Sequence, residues 1–549
     1  MHNLSFDPRD PLFTWNGLTF GVQLFTYENI YGLRRDHCDV QADATSLRLV
    51  CQGLTWAGGQ AVAEGWVSLQ ATAGERTTTF VIEASCARTI RCVKLILKNL
   101  PPGVIVNLRE AARQEIPLSG LILKYPDGWR GLYTPLLVFE TEAGQLLYVR
   151  SLDSQVREKR FALLRRGNAI DIELIFEELA PAQRNTISIP AWEIGTRETL
   201  DEIMHEQAGF IQRTYGLVPW EQRPDVPTWA REIALVATIH CQHWSGYIFN
   251  DYARVLNHIR WLASKIEPRR ILAYLPGWEG RYYWQYGDYR PDPRMGGERG
   301  FEHLVKQAQR LGVRVMPMFG INYANRGLEN FEQWGAPAHY TSASGLAGGG
   351  TCDWDSSRHY DHGWGALLNP GAPTWQNRLT SQIVQLLDRY GFDGVFLDIS
   401  AGWWNDPKHP VYEGTLQLIA RLRERHPNVL IAGEGWYDGI GAATPLVQAG
   451  HTDGTMHWHD QPAATLFDTY HRCFAHLCLG DPGRASTGVH ELGHNPWTRT
   501  PLRKGIIPTV AIVEDTLERA PDAVLEVIEA ARRYAARYLT EERSEIQAE

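Results

Sequence analysis

From residue 234 onward, short apolar runs alternate with stretches of helical periodicity, and this alternation limits the fold more than any other feature. Eight runs occur: ALVATIHC (234–241), RILAYLPGW (270–278), VRVMPMFGIN (313–322), GVFLDIS (394–400), NVLIAGEGW (428–436), GTMHWHD (454–460), ASTGVHELG (485–493) and IPTVAIVED (507–515). Helical patterns fill most gaps, at 251–265, 300–311, 373–389, 413–425 and 463–476, and a last one spans 521–540. Strands alternating with helices imply βα units, and eight of them predict an α/β fold, a (β/α)8 TIM barrel over 230–549. An open doubly wound sheet is the rival architecture. No Gly-rich dinucleotide or P-loop turn follows any of the runs, which favours the barrel. One connection is out of scale: the loop at 323–372 is long enough, and aromatic enough, to be read as a substrate-covering segment.

The first 196 residues have a different texture. TTTFVIEAS (77–85), IRCVKLILKNL (90–100), GVIVNLR (103–109) and AIDIELIFEEL (169–179) are β-rich and separated by turn residues. LLVFETEAGQLLYVRSL (136–152) reads as a hairpin closing on Glu142-Ala143-Gly144. This spacing predicts an all-β sandwich domain over 1–196. Residues 197–229 supply a linking helix and then a Pro-bearing linker, GLVPWEQRPDVPTW.

Composition excludes several classes of function. A length of 549 residues with 44% apolar content supports two or three full-sized domains. The net charge is −9, and no Lys/Arg-rich run stands out, so nucleic acid is not an expected partner. No window holds 18 uninterrupted apolar residues, so no membrane partner is expected either. The start, MHNLSFDPRDPLFTW, lacks a basic segment followed by an apolar one. Eight Cys at 38, 51, 86, 92, 241, 352, 473 and 478 form no CxxC pair and read as reduced thiols, which suggests a cytoplasmic protein. Twenty Trp and 22 Tyr are a heavy aromatic load, and aromatic faces suit the C–H faces of sugar rings.

The chemistry of such a barrel sits at the C-terminal ends of its strands. Those ends carry His240, Trp278, Asn322, Asp398, Glu434, His457, His459, Asp460, His490, Glu491 and Asp515. Asp398 and Glu434 fall on consecutive strands, 434 − 398 = 36 residues apart, or one βα unit. Neighbouring strands lie ~4.8 Å apart, so two carboxylates at their tips can flank one substrate bond. Retaining glycoside hydrolysis requires this arrangement, with carboxyl groups ~5–5.5 Å apart. Mutual proximity then keeps one of them protonated at neutral pH.

GFDGVFLDIS followed by VLIAGEGW resembles strands 4 and 5 of the α-amylase-like and α-galactosidase-like retaining glycoside hydrolases. The likeness is nearest to endo-α-N-acetylgalactosaminidase-like barrels, which also carry an N-terminal β-sandwich. The resemblance implies Asp398 as nucleophile, Glu434 as acid/base and an α-linked carbohydrate substrate. It departs from α-amylases at Phe396, where they hold Arg, and in ending after the last helix rather than in a β-domain. α-Galactosidases use a strand-6 Asp as acid, so Asp460 is the alternative to Glu434.

The remaining strand-end groups are read as sugar ligands: His240, Asn322, His457, His459, Asp460, Glu491 and Asp515 for hydroxyls, and Trp278, Trp403 and Trp436 for stacking. No metal or cofactor is expected. HxH occurs at His457 and His459, whereas metal-dependent barrels of the amidohydrolase type carry it on strand 1. Asp353, Asp355 and Asp361 in the long loop lack EF-hand spacing. The rival functions are a metal-dependent hydrolase built on His457, His459 and Asp460, and a non-catalytic carbohydrate-binding protein on a degenerate barrel.

Overall fold

The computed structural model describes residues 11–539 apart from 57–58, 109–111, 130, 244–245, 281–283, 345–364, 450–460 and 476–501. From Phe13 to Arg197 the chain forms antiparallel strands, as the alternation of apolar and polar residues requires. In Thr77–Cys86, for example, Thr78, Phe80, Ile82 and Ala84 are buried while Val81 and Glu83 face outward. The short strand Ile30–Leu33 pairs with Leu18–Thr26 on one side and with Ser46–Trp56 on the other, and so carries the sheet from one layer into the next. Phe20, Leu95, Leu97, Ile172 and Leu174 belong to one apolar core with Leu49, Val67, Leu69, Phe80, Ile82 and Trp192. Burying each of the larger side chains stabilises the domain by roughly 1.5–3 kcal/mol.

The linking helix, Leu200–Tyr215, begins with a capping box between Thr199 and Glu202 and ends at Gly216, whose φ of 62° suits glycine. Its buried residues Ile203, Met204 and Ile211 join a third cluster with sandwich residues Tyr125, Tyr133 and Leu136 and barrel residues Trp403, Trp436 and Phe467.

The barrel has eight parallel strands: β1 Leu235–Ile239, β2 Ile271–Leu275, β3 Arg314–Gly320, β4 Gly394–Asp398, β5 Leu430–Glu434, β6 Leu446–Ala449, β7 Arg472–Ala475 and β8 Thr509–Ile512. β8 pairs with β1, and the other strands follow in chain order. The ring closes where Cys473 of β7 exchanges backbone hydrogen bonds with Gly505 and Ile507, 2.8 Å each, just ahead of β8. β1, β2, β4 and β5 are buried at every position, which is why they read as unbroken apolar runs.

Two strands differ from expectation. β6 and β7 lie at Leu446–Ala449 and Arg472–Ala475, not at 454–460 and 485–493, and both of those predicted segments fall outside the described residues. The crossover from β5 to β6 contains a single 3-10 turn, Ile440–Ala442, instead of a helix. The sixth strand therefore arrives well before a full helical crossover would allow. β7 is hidden in the sequence because the helical pattern at 463–476 fuses the helix Gln461–Phe467 with the strand that follows it. In the long connection after β3, the flanks Tyr323–Asn325 and Gly365–Leu367 pair with each other, while 345–364 lie outside the described residues.

Candidate active site

The register of β4 against β5 pairs Leu397 with Gly433, so Asp398 and Glu434 are the next residue on each strand. Both are buried, 5% and 8% exposed. Their carboxyl groups are close enough for the charge of Glu434 to bear on Asp398. Burial and the charge of Glu434 push the Asp398 carboxyl well above the usual carboxylate range, and the Tyr286 hydroxyl opposes them. Burial and mutual repulsion oppose ionising both carboxyl groups at once, so the two titrate as a coupled pair.

Three local features fix this pair. The chain bends sharply after Asp398, and Ile399 sits at φ 57°, a left-handed conformation that a β-branched residue rarely adopts. The bend aims the Ile399 N–H at Glu434 Oε2, 2.8 Å away, while Ala401 N–H and the Ser400 hydroxyl donate to the Glu434 carbonyl. Asn322, at the tip of β3, donates from Nδ2 to the Ile399 carbonyl at 3.1 Å, which braces the same bend. Finally, the Tyr286 hydroxyl donates to Asp398 Oδ2 at 2.9 Å. Tyr286 reaches that point by crossing Gly320, where a Cβ would stand 2.2 Å from its ring.

The Tyr286 bond favours the ionised form of Asp398, so Tyr286→Phe is expected to lower turnover by roughly 10–100-fold, the worth of a hydrogen bond to a charged group. The acidic limb of the kcat/KM profile should move to higher pH, because Asp398 would ionise less readily. An unchanged profile would mean that Tyr286 only packs.

The other predicted residues separate into groups. Asn322 is buried beside the pair, and among the described residues its Oδ1 has no hydrogen-bond partner. His240 follows β1 and is buried, with its carbonyl accepting from Asn250. Trp278 is enclosed in the core, with Nε1 donating to the Met318 carbonyl at 2.9 Å and its ring stacked on Phe301. Trp436 is fully buried against Tyr133, Phe467 and His471, at the seam with the sandwich. Trp403 lies in the same seam, with the Lys124 ammonium over its ring. Asp515 stands at the start of the short helix Thr516–Arg519 and pairs with Arg519. The structure thus unites Asp398, Glu434 and Asn322, while Trp278 and Trp436 are packed away from solvent. His457, His459, Asp460 and Glu491 lie outside the described residues, as do Asp353, Asp355 and Asp361.

Glu279 and Tyr286 went unread in the sequence. Glu279 directly follows Trp278, is 2% exposed, and among the described residues no other residue hydrogen-bonds to either carboxylate oxygen. Burial pushes it up to about 8. Once ionised, it raises Asp398 and Tyr274 of β2. Its signal was an acid one residue past the strand-end Trp278. Tyr286 carries no such signal: it stands eleven residues beyond Leu275, and only the fold returns it to the site.

The fold and site together define a sandwich-plus-(β/α)8 architecture with a buried carboxyl pair on adjacent strand tips. The chain is similar in structure to the α-N-acetylgalactosaminidase NagBb from Bifidobacterium bifidum in its GalNAc complex, with TM-score 0.66, 14% identity, and coverage of 97% of this chain and 93% of that one. It is also similar to a GH36 α-galactosidase from Geobacillus stearothermophilus bound to raffinose, with TM-score 0.52, 11% identity, and coverage of 94% and 75%. In sequence it is 23% identical over 285 residues to a Monosiga brevicollis protein that carries the provisional name of a glycoside hydrolase. That match covers 46% of this chain and 22% of the Monosiga protein. No protein-family model matches the chain.

Proposed function

We propose that this protein is a retaining glycosidase, with Asp398 as nucleophile and Glu434 as acid/base. The observation that carries this reading is the pair of buried, interacting carboxyl groups at the matched tips of β4 and β5. A bound glycoside inserts its scissile bond between the two groups, and the proton that burial and the Glu434 charge hold on Asp398 passes to Glu434 before attack. Asp398 attacks the anomeric carbon as the bond to the leaving oxygen breaks, and Glu434 supplies that oxygen with a proton. Water then attacks the glycosyl–enzyme ester, Glu434 takes its proton, and Asp398 departs with its original charge. Tyr286 holds Asp398 for the attack, and the Ile399 N–H holds Glu434 between its two proton transfers.

The substrate class follows from the names of the structural neighbours: an α-linked galactose-type sugar, with or without an acetamido group at C2. We also place the protein in the cytoplasm, because the six described Cys all carry free thiols. Among the described residues no helix is long and apolar enough to cross a membrane.

A panel of aryl α- and β-galactosides and N-acetylgalactosaminides tests the substrate, and proton NMR of the first-formed product tests the mechanism. The expected product is the α-anomer from an α-glycoside. A β-anomer as first product would overturn the double-displacement mechanism, and silence across the panel would overturn the substrate class.

A further inference from the structure

At the edge of the sandwich, away from the barrel, two cysteines face each other. Cys38 opens the strand Cys38–Ala42, which among the described residues pairs only with Ser46–Trp56, and its register partner there is Cys51. The hairpin turn between these strands bonds Asp43 N–H to the Ser46 carbonyl. Bonded and non-bonded pairs alternate along an antiparallel ladder, so counting back from Asp43 and Ser46 makes Cys38 and Cys51 a non-hydrogen-bonded pair. The Cys38 N–H agrees, since it donates instead to the Arg35 carbonyl. Such pairs bring Cα atoms to about 4.5 Å with both side chains on one face, inside the range that a disulfide spans.

The two sulfurs also converge on one acceptor. Cys38 Sγ lies 3.1 Å and Cys51 Sγ 3.4 Å from the Arg34 carbonyl oxygen, and Cys51 Sγ is 3.3 Å from the Gly53 carbonyl. Cys38 is partly exposed, whereas Cys51 is fully buried behind it. We propose that Cys38 and Cys51 form a dithiol site that small-molecule disulfides of the glutathione class oxidise to an intrachain disulfide.

The division of labour follows from exposure. The Cys38 thiolate attacks one sulfur of the oxidant, whose S–S bond breaks and releases one thiolate. Cys51 then attacks Cys38 Sγ and expels the second half. The protein gives up two protons and two electrons, and the oxidant leaves as two thiols. Contact between the sulfurs pulls the Cys51 thiol down and, together with burial, pushes the Cys38 thiol up, so access rather than acidity selects Cys38 for the first attack. The bond would pin an edge strand, the element of a sheet that opens most readily.

The test uses the full chain in excess oxidised glutathione, followed by alkylation of free thiols in denaturant and peptide mass analysis. The expected result is a linked Cys38–Cys51 peptide two hydrogens lighter than the reduced pair, with Cys86, Cys92, Cys241 and Cys473 alkylated, and a melting temperature that rises on oxidation. Cys51→Ser should stop the reaction at a stable glutathione adduct on Cys38, and Cys51→Ala repeats that arm if Ser is poorly tolerated in the core. Cys38→Ser should yield no adduct at Cys51. Full alkylation of both thiols in the oxidised wild type would overturn the proposal, as would a glutathione adduct on Cys38 that never resolves.

Discussion

Asp398→Asn is expected to lower kcat by about 1,000-fold or more on every glycoside the enzyme accepts, with the fold intact. Asn keeps the shape of the side chain and one acceptor for the Tyr286 hydroxyl, but it cannot form the glycosyl ester. The substitution also removes a carboxyl whose ionisation is opposed by burial and by the charge of Glu434, so the melting temperature should hold or rise. Glu434→Gln separates the two roles. General acid catalysis contributes roughly 100–10,000-fold, and only where the leaving group needs a proton. On sugar alcohols the variant should lose that full factor. On aryl glycosides with acidic phenols the first step is spared, and the intermediate should accumulate as a burst. Steady-state rates on both leaving-group classes, with a stopped-flow trace for the second, check the assignment. Near-normal turnover by either variant would remove its residue from the mechanism.

The placement of the carboxyl pair was legible because it depends on two short-range regularities. A parallel strand buried on both faces must be apolar until it ends, so the first polar residue marks its tip, and one βα unit separates equivalent heights. Asp398 and Glu434 satisfy both. Strand-end Trp residues satisfy the first rule equally well, yet Trp278 is sealed by Phe301 and Met318, and Trp436 by the sandwich seam. A sequence pattern does not show which side of a strand tip a second domain will cover. Equally hidden were β6 and β7, four residues each, because the path to β6 lacks a helix and β7 adjoins one. Tyr286 was out of reach for a different reason: its role depends on the absence of a Cβ at Gly320, a contact between distant segments.

Glu279→Gln should stabilise the protein at alkaline pH while weakening it as an enzyme. The carboxyl is 2% exposed, no other described residue hydrogen-bonds to it, and burial raises it from 4.5 to about 8. Below pH 4.5 the folded and unfolded chains both hold this proton, and the group contributes nothing to the pH dependence. Between 4.5 and 8 the unfolded chain releases it and the folded chain keeps it, so stability falls as pH rises. At 1.36 kcal/mol per pKa unit, the loss accumulated by pH 8 is at most about 5 kcal/mol, and about half that with the effective dielectric of real interiors. Gln has the same volume and does not titrate, so the gap between variant and wild type should widen from pH 5 to pH 8 in urea melts. A gap constant across that range would show that Glu279 ionises as it does in the unfolded chain. Retention of so unfavourable a group, one residue past a core Trp and within the field of Asp398, points to a role that stability does not explain. At neutral pH Glu279 is a neutral acid, able to donate as well as accept a hydrogen bond. The amide of the E279Q variant also donates and accepts, but it cannot pass a proton on, so the activity loss should exceed any change in folding at pH 7.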